Sequence, residues 1–189
     1  MFLCTLVFIP CTMPSFFKSF MSVCFFLLIA TIISCDDGEI IVKDFDFDNV
    51  NLQTCGAEGN YVFYKNNTVN YESLSLNLKT NTPLYSEPHL TEYTFNGVDI
   101  YAKYRRFDSN LPSNYYCNNI PPSTPQLMDE YTASSGKVQV HVEFREEENT
   151  LYKDVHILLK DLIFIKENDQ IIVESLSMGT IEGVEVIEL

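Results

Sequence analysis

Residues 138–145 read Val-Gln-Val-His-Val-Glu-Phe-Arg, a strict alternation of apolar and polar side chains. Successive side chains of a β-strand point to opposite faces, so this stretch predicts a strand with one buried face and one solvated face. After the polar segment 146–149, the alternation resumes with Val155, Ile157 and Leu159. Two alternating runs joined by a short polar segment predict an antiparallel β-hairpin.

The same two-residue period recurs on both sides of this hairpin. Further alternating or apolar runs, separated by turn-rich segments, lie at residues 44–48, 61–64, 74–78, 98–105, 162–165 and 171–173. Helical spacing is confined to the short segment 126–131. Seven to nine short antiparallel strands predict an all-β fold, a single β-sandwich with a partly closed β-barrel as the alternative. We expect one such domain, residues 40–189.

The first 34 residues have the composition of a targeting segment. They contain a single charged side chain, Lys18, followed by an apolar run over residues 20–33. The sequence Ile32-Ile-Ser-Cys35 ends that run and resembles a lipobox, in which the cysteine is acylated before the leader is removed. We therefore expect residues 1–34 to be a lipoprotein signal peptide and Cys35 to carry the lipid, with residues 35–39 as a tether.

Two features of the leader allow a second interpretation, namely the start of translation and the removal of the leader. Translation could begin at Met1, Met13 or Met21, because the first twelve residues form a second apolar patch without charge. The leader could also remain attached as a signal anchor. The apolar run before Ser34 is, however, shorter than the about 20 residues that a membrane-spanning helix needs.

Charge divides the chain at the same point as hydrophobicity. From Asp36 onward the chain carries 11 basic and 26 acidic residues, a formal charge of −15, whereas the leader carries +1. So acidic a domain is repelled by nucleic acid and by anionic membrane surfaces, and neither is expected as a partner. The lipid anchor is the expected contact with the membrane.

Three cysteines remain once the leader is removed. With Cys35 acylated, Cys55 and Cys117 are left in an oxidising compartment. They either form one disulfide that closes a long loop or remain two isolated thiols. No Cys/His spacing in the sequence is that of a zinc site.

Several short motifs give the chain a resemblance to known proteins. They are Ser34-Cys-Asp-Asp-Gly38, the stretch from Asp44 to Cys55, Tyr104-Arg-Arg-Phe107, Tyr115-Tyr-Cys-Asn-Asn-Ile-Pro-Pro-Ser123 and Ser177-Met-Gly-Thr180. Together they resemble a group of uncharacterised lipoproteins from flavobacteria and their relatives. The resemblance implies lipidation, an envelope location and a Cys55–Cys117 pair, but no activity. Acidic residues after the lipidated cysteine, here Asp36 and Asp37, resemble an export signal, so we expect the outer membrane and display at the cell surface.

Two carboxylate-containing patterns are candidate cation sites. The run Asp44-Phe-Asp-Phe-Asp48 has carboxylates at the first three odd positions of a calcium loop, but the glycine and glutamate that such a loop needs are missing. In the hairpin, a two-residue loop at Glu148-Asn149 would place His141 opposite His156 and Glu143 opposite Asp154. These four side chains have the composition of a zinc or manganese site. A solvated polar face is the alternative for both patterns.

A basic cluster interleaved with aromatic residues is the candidate ligand site. Lys103, Arg105 and Arg106 follow Tyr101, and together the four residues could hold an anion or a sugar acid. The alternative is that these cations pair with the abundant carboxylates. The single histidine outside the hairpin, His89, lies in a Pro-rich segment without a serine or cysteine partner and is interpreted as a loop residue.

The sequence favours a protein without catalytic activity. It contains no nucleophile motif, no phosphate-binding glycine loop and no dinucleotide fingerprint, so no cofactor is expected. We expect an envelope interaction or structural module, with a glycan- or cation-binding module as the alternative and a metal-assisted hydrolase as the third candidate. The expected partners are the membrane, through the lipid anchor, and an envelope protein or glycan.

Overall fold

The computed structural model describes residues 40–41, 45–57, 59–80, 87–118, 120, 122–148 and 150–185. All of them belong to the unit Gly38–Leu189. The predicted signal peptide, Cys35 and the tether lie outside the described residues, as does Asp44 of the candidate calcium run.

The described part of the chain contains nine β-strands and no helix. They are β1 (Ile40–Ile41), β2 (Gln53–Ala57), β3 (Asn60–Asn67), β4 (Glu72–Lys79), β5 (His89–Thr94), β6 (Ile100–Phe107), β7 (Leu127–Glu147), β8 (Thr150–Lys166) and β9 (Asp169–Glu185). The all-β prediction is confirmed, with the strand number at the upper limit of the expected range.

All nine strands hydrogen-bond into one sheet. Its order is β1-β9-β8-β7-β6-β4-β3-β2, with β5 paired to β7 beside this path. Neighbouring strands are antiparallel except for β1 and β9, which are parallel. The sheet curls into a half-barrel, an architecture between the predicted sandwich and the partly closed barrel.

The β7–β8 hairpin has the register predicted from the sequence. His141 lies opposite His156 and Glu143 lies opposite Asp154. A slip by one residue would carry every apolar side chain of one strand to the solvent face, so the alternation and the short turn together determine the pairing.

The longest strand, β7, changes partner along its 21 residues. Residues 127–132 pair with β6, whereas residues 137–142 pair with β5. Gly136 lies between the two parts, and its φ of +132° belongs to the region that favours glycine. Register shifts on either side of Ser135 mark bulges in the pairing with β8. These bulges allow one strand to hold two partners on the same edge.

The concave face of the sheet forms the hydrophobic core. Of the seven apolar residues that alternate in this hairpin, Phe144 is half-buried at the edge of the core. The other six are at most 1% exposed: Val138, Val140, Val142, Val155, Ile157 and Leu159. They pack with Leu74, Leu76 and Leu78 of β4 and with Phe164 of β8. Burial of these side chains is the principal stabilising contribution to the fold.

Three predictions of local structure are wrong: those for residues 45–47, for the segment 126–131 and for His89. Residues 45–47 form no strand, although their side chains alternate. Their backbone turns instead, with Val50 N donating to Phe47 O, and side chains of β3 replace a neighbouring strand. Lys65 Nζ donates to Phe47 O and Asn67 Nδ2 donates to Asp46 O, each over 2.7 Å.

The segment 126–131, in which helical spacing was noted, begins strand β7 at Leu127. Pairing explains the difference. Phe107, Arg106 and Arg105 of β6 lie opposite this segment and satisfy its backbone groups as a ladder. Local spacing over six residues is too short to compete with such pairing.

Candidate ligand-binding site

The outer faces of β4 and β6 carry polar side chains directly opposite one another. Ser75 pairs with Lys103, and Asn77 pairs with Tyr101. The alternate residues of both strands, Leu74, Leu76, Ala102 and Tyr104, are buried in the core. Strand alternation therefore places Tyr101, Lys103 and Arg105 of β6 on the face that points away from the core.

A disulfide holds a loop over this outer face. Cys55 of β2 is bonded to Cys117, 62 residues further along the chain, with their Cα atoms 5.7 Å apart. The hydroxyl of Tyr64 donates to Ser113 O over 2.7 Å, and Tyr116 Oη lies 2.5 Å from Ser73 Oγ. The loop before Cys117 is thus attached to β2, β3 and β4, and it buries Ser73 and Ser75 on the face opposite the core.

Between the loop and the sheet lies a small pocket of about 150 Å³. Its lining is Val62, Ser75, Asn77, Tyr101, Lys103, Arg105 and Tyr116. Three of the four residues predicted to bind a ligand therefore line one cavity. Asn77 Nδ2 donates to Tyr101 Oη over 2.7 Å, which orients the phenol at one side of the pocket.

The two cations of the pocket share one carboxylate. Lys103 Nζ donates to Glu130 Oε1 over 2.7 Å, and Arg105 Nε donates to Glu130 Oε2 over 2.6 Å. Burial favours the neutral form of Glu130, but the hydrogen bonds from both cations outweigh it, so the pKa of this carboxyl is lowered. Two positive charges against one negative charge leave a formal excess of +1 in an acidic domain.

An aromatic ring lies against the guanidinium of Arg105. Its Cζ is 5.7 Å from the centroid of the Tyr116 ring, within the range of a cation–π interaction. Burial opposes the charge of Arg105, but Tyr116 and Glu130 favour it more strongly, and the pKa of Arg105 is raised. The guanidinium is therefore charged and held in position. Its planar fork has five N–H donors, so donors remain for a ligand.

The pocket presents several hydrogen-bond donors to a ligand. Guanidinium, ammonium, phenol and amide groups can donate hydrogen bonds to an anion, and the rings of Tyr101 and Tyr116 belong to the lining. None of the seven lining residues is a histidine or a carboxylate that could act as a base beside Ser75. The arrangement suits recognition of a small acidic group.

Arg106, the fourth residue predicted for this site, does not line the pocket. It follows Arg105 directly, so strand alternation turns it to the other face of β6. There Arg106 Nη1 lies 3.2 Å from Asp129 Oδ2. All three cations of the basic cluster therefore pair with a carboxylate, as the alternative interpretation predicted: Arg106 with Asp129, and Lys103 and Arg105 with Glu130.

The four residues predicted to bind a metal are only partly brought together. Glu143 lies between the two imidazoles: its Oε1 is 3.4 Å from His141 Nδ1, and its Oε2 is 3.6 Å from His156 Nε2. The ring centroids of His141 and His156 are 5.8 Å apart. Within the described residues, no group of three or more His, Cys, Asp or Glu side chains is arranged so that it could hold a metal ion.

Asp154 explains part of this result. Its Oδ1 accepts the backbone N–H of Gly183 over 2.9 Å, and its Oδ2 accepts from Arg145 Nε over 3.1 Å. The hydrogen bond from Gly183, together with that from Arg145, lowers the pKa of Asp154 despite the opposing effect of desolvation. This carboxylate is thus directed to β9 and Arg145, and His156 Nδ1 lies 2.7 Å from the Thr180 hydroxyl.

His89 is not a loop residue. It begins β5, pairs with Val142 of β7 and contacts the carbonyl of Glu87 through Nδ1. Together with His141 and Glu143 it lines an open depression of about 470 Å³. In the candidate calcium run, Asp46 and Asp48 are exposed on either side of the buried Phe47, as expected for the alternative, a solvated polar face.

Sequence reasoning missed Tyr116, Asn77, Ser75 and Glu130. Ser75 and Asn77 alternate with the leucines of β4, and this pattern could have placed them on the outer face with Lys103. Tyr116 adjoins Cys117, so the proposed disulfide already implied that it lies near β2. Glu130 could not be found in this way, because it depends on pairing between β6 and β7.

No protein-family model, curated protein or solved structure matches the chain. In the part of the chain that the structure describes, no helix has the length and hydrophobicity of a membrane span.

Proposed function

We propose that this chain is a lipid-anchored, non-catalytic protein of the bacterial envelope whose β-domain binds an acidic sugar residue. The observation that carries the proposal is the pocket in which Lys103 and Arg105 share Glu130 beside Tyr101 and Tyr116. A net positive, aromatic pocket in a domain of formal charge −15 is a local reversal of the electrostatic field.

The size of the pocket limits the ligand. Pockets for drug-sized molecules measure roughly 300–1,000 Å³, whereas this one measures about 150 Å³. It suits one sugar residue or the acidic group of a longer glycan. A carboxylate matches the planar fork of Arg105, and the ring faces of Tyr101 and Tyr116 match the apolar face of a sugar.

The anchoring part of the proposal is supported by the leader. Its apolar run ends in Ile32-Ile-Ser-Cys35, and the motifs that resemble those of flavobacterial lipoproteins extend over most of the remaining chain. We place the domain at the outer membrane, displayed on the cell surface, where a glycan ligand is accessible. A cation at His141 and His156 is not part of the proposed function, because Asp154 is directed elsewhere.

Ligand binding is tested on the full-length protein purified from bacterial membranes in detergent. Isothermal titration with D-galacturonate and D-galactose compares an acidic sugar with its neutral counterpart. We expect galacturonate to bind at least about tenfold more tightly, because a bidentate charged contact contributes about 1.5–3 kcal/mol. Equal affinity for the two sugars would contradict an acid-binding pocket.

The matched variants are Arg105→Gln and Arg106→Gln. Both remove one positive charge from adjacent positions of β6, but only Arg105 lines the pocket. We expect Arg105→Gln to abolish the preference for galacturonate and Arg106→Gln to retain it. The same loss in both variants would show a general effect of net charge and exclude a specific pocket.

Anchoring is tested by the intact mass of the protein isolated from membranes, compared with a Cys35→Ala variant. We expect a chain that begins at Cys35 and carries acyl-glyceryl mass. The variant should keep its leader, and a leader retained in both proteins would show that no lipoprotein is formed.

A further inference from the structure

One end of the sheet is defined by a continuous row of paired residues. Glu72 lies opposite Arg106, and Arg106 lies opposite Asp129. Asp129 Oδ1 accepts from Lys166 Nζ over 2.5 Å, and Lys166 lies opposite Asp169. The next residue of β9, Gln170, pairs with Ile40 of β1. This end of the sheet, which we name the β1 end, thus extends from the β3–β4 turn to Ile40 of β1.

Four large apolar side chains are exposed at the β1 end. Val69 and Tyr71 lie in the β3–β4 turn and are 83% and 41% exposed, and Leu127 and Met128 at the start of β7 are 47% and 61% exposed. Phe107 connects the turn to the start of β7. Its backbone N donates to Tyr71 O over 2.9 Å, and it lies opposite Leu127 in the sheet. We name these four residues the apolar rim.

The opposite end of the sheet has a different character. The β7–β8 turn is preceded by three consecutive exposed glutamates, Glu146, Glu147 and Glu148. Two large apolar side chains are exposed toward this end, Val98 in the β5–β6 turn at 77% and Leu90 of β5 at 64%. Single exposed apolar residues are normal on protein surfaces, whereas a group of four at one end marks an interaction surface.

The distance along the chain between Cys35 and Ile40 determines which end of the sheet lies near the proposed lipid anchor. Cys35 precedes Ile40 by five residues, and five residues span at most about 18 Å when fully extended. If Cys35 carries the acyl chains, as the proposed function requires, the bilayer surface lies within that distance of the β1 end. The apolar rim is at the same end of the sheet as Ile40.

We propose that the apolar rim of Val69, Tyr71, Leu127 and Met128 inserts into the interface of the bilayer to which Cys35 is attached. This inference rests on the proposed lipid anchor and adds the surface that fixes the orientation of the domain. The contact is apolar, since the acidic domain is not attracted to anionic headgroups. A tyrosine, with an apolar ring and a polar tip, suits the headgroup level. With the rim inserted, the glutamates of the β7–β8 turn point away from the membrane.

The chain contains no tryptophan, so a single introduced tryptophan reports on its own surroundings. The test uses the full-length lipidated protein in phosphatidylcholine vesicles, with Leu127→Trp or Met128→Trp in the rim and Val98→Trp at the other end. Vesicles with bromine on the acyl chains quench a tryptophan that reaches them. Interfacial apolar groups reach a depth of about 5–10 Å, so we expect fluorescence in both rim variants to fall by about half. Fluorescence of Val98→Trp should be unchanged.

Flotation of the vesicles separates the two hypotheses. If the protein floats with the vesicles but no rim variant is quenched, the lipid anchor stands and the inserted rim is wrong. If the protein does not float, the anchor is wrong and the inference fails with it. A blue shift that depends on protein concentration but not on bromine would show that a second copy covers the rim, which also overturns the proposal. The melting temperature of each variant is compared with that of the unchanged protein, and Met128→Trp replaces Leu127→Trp if the latter does not fold.

Discussion

Arg105 donates its Nε to Oε2 of Glu130 over 2.6 Å, so a carboxylate of β7 fixes the guanidinium of β6 beside the pocket. Burial raises the pKa of Glu130, but hydrogen bonds from Lys103 and Arg105 lower it more. A carboxyl whose pKa is lower in the folded state stabilises that state above its unfolded pKa. This contribution is lost as the pH falls through the folded pKa.

We therefore expect Glu130→Gln to lower the free energy of unfolding by about 2 kcal/mol near neutral pH, because the neutral amide has one acceptor oxygen for the two cations and lacks the negative charge that strengthens both hydrogen bonds. The difference between the variant and the unchanged protein should shrink as the pH falls through the lowered pKa of Glu130. Urea unfolding at neutral pH and across the acidic range measures it. A difference that does not depend on pH would show that the carboxylate charge is not what stabilises the pair.

The Cys55–Cys117 disulfide closes a loop across a sequence separation of 62 residues. In the chain-entropy model, such a crosslink stabilises the folded state by about 4 kcal/mol. We expect reductant, or the double variant Cys55→Ala/Cys117→Ala, to lower the unfolding free energy by about this amount. Reductant should have no further effect on the double variant. An unchanged protein that is insensitive to reductant would show two isolated thiols.

Gly136 occupies the position at which β7 changes partner. A Cβ atom there would lie 2.8 Å from Leu162 Cδ2 and 3.0 Å from Lys160 O, and the φ of +132° disfavours any other residue. We expect Gly136→Ala to lower the unfolding free energy by roughly 2–4 kcal/mol through backbone strain and overpacking.

Gly97 provides the matched control for this substitution. Its φ of +74° is also positive, but a Cβ atom there would meet nothing within 4 Å. Gly97→Ala should therefore cost about 1 kcal/mol from backbone strain alone. Urea unfolding of both variants tests the comparison, and equal losses would mean that the close approach of β7 to β8 at Gly136 does not contribute.

Phe47 is fully buried although it belongs to no strand. Removal of a buried phenylalanine side chain destabilises a protein by about 3–5 kcal/mol, so we expect a loss in this range for Phe47→Ala. The neighbouring exposed Asp46 serves as control, and Asp46→Asn should change stability by less than about 0.5 kcal/mol. Thermal unfolding measures both. A small effect of Phe47→Ala would indicate that residues 45–50 are not part of the core.

The β7–β8 hairpin could be predicted to the register, whereas the full length of β7 could not. Residues 138–144 alternate strictly, and one buried face makes a slip costly. Between Ala133 and Lys137 the bulges shift the alternation, so the sequence gives no continuous signal that one strand passes through. The alternation at Phe45 and Phe47 was misleading because buried turn residues can show the same short period as a strand.

The candidate site was predictable to the extent that it lies on one strand. Tyr101, Lys103 and Arg105 alternate on β6, and the same alternation could have excluded Arg106. The remaining lining depends on contacts between distant parts of the chain: Tyr116 arrives through the disulfide, and Glu130 arrives through pairing between β6 and β7. Such contacts follow from the assembled sheet, not from any local pattern.

The partner exchange along β7 has a consequence for the order in which the chain folds. β7 pairs with β5, β6 and β8. The sheet is therefore complete only when the long strands at the C-terminal end of the chain have been synthesised. β7, β8 and β9 are successive hairpins with short loops, which close rapidly and can form together. Strand β5 has β7 as its partner and can be hydrogen-bonded only after residues 137–142 have been made. The half-barrel can therefore be completed only late in synthesis, after most of the chain has been made.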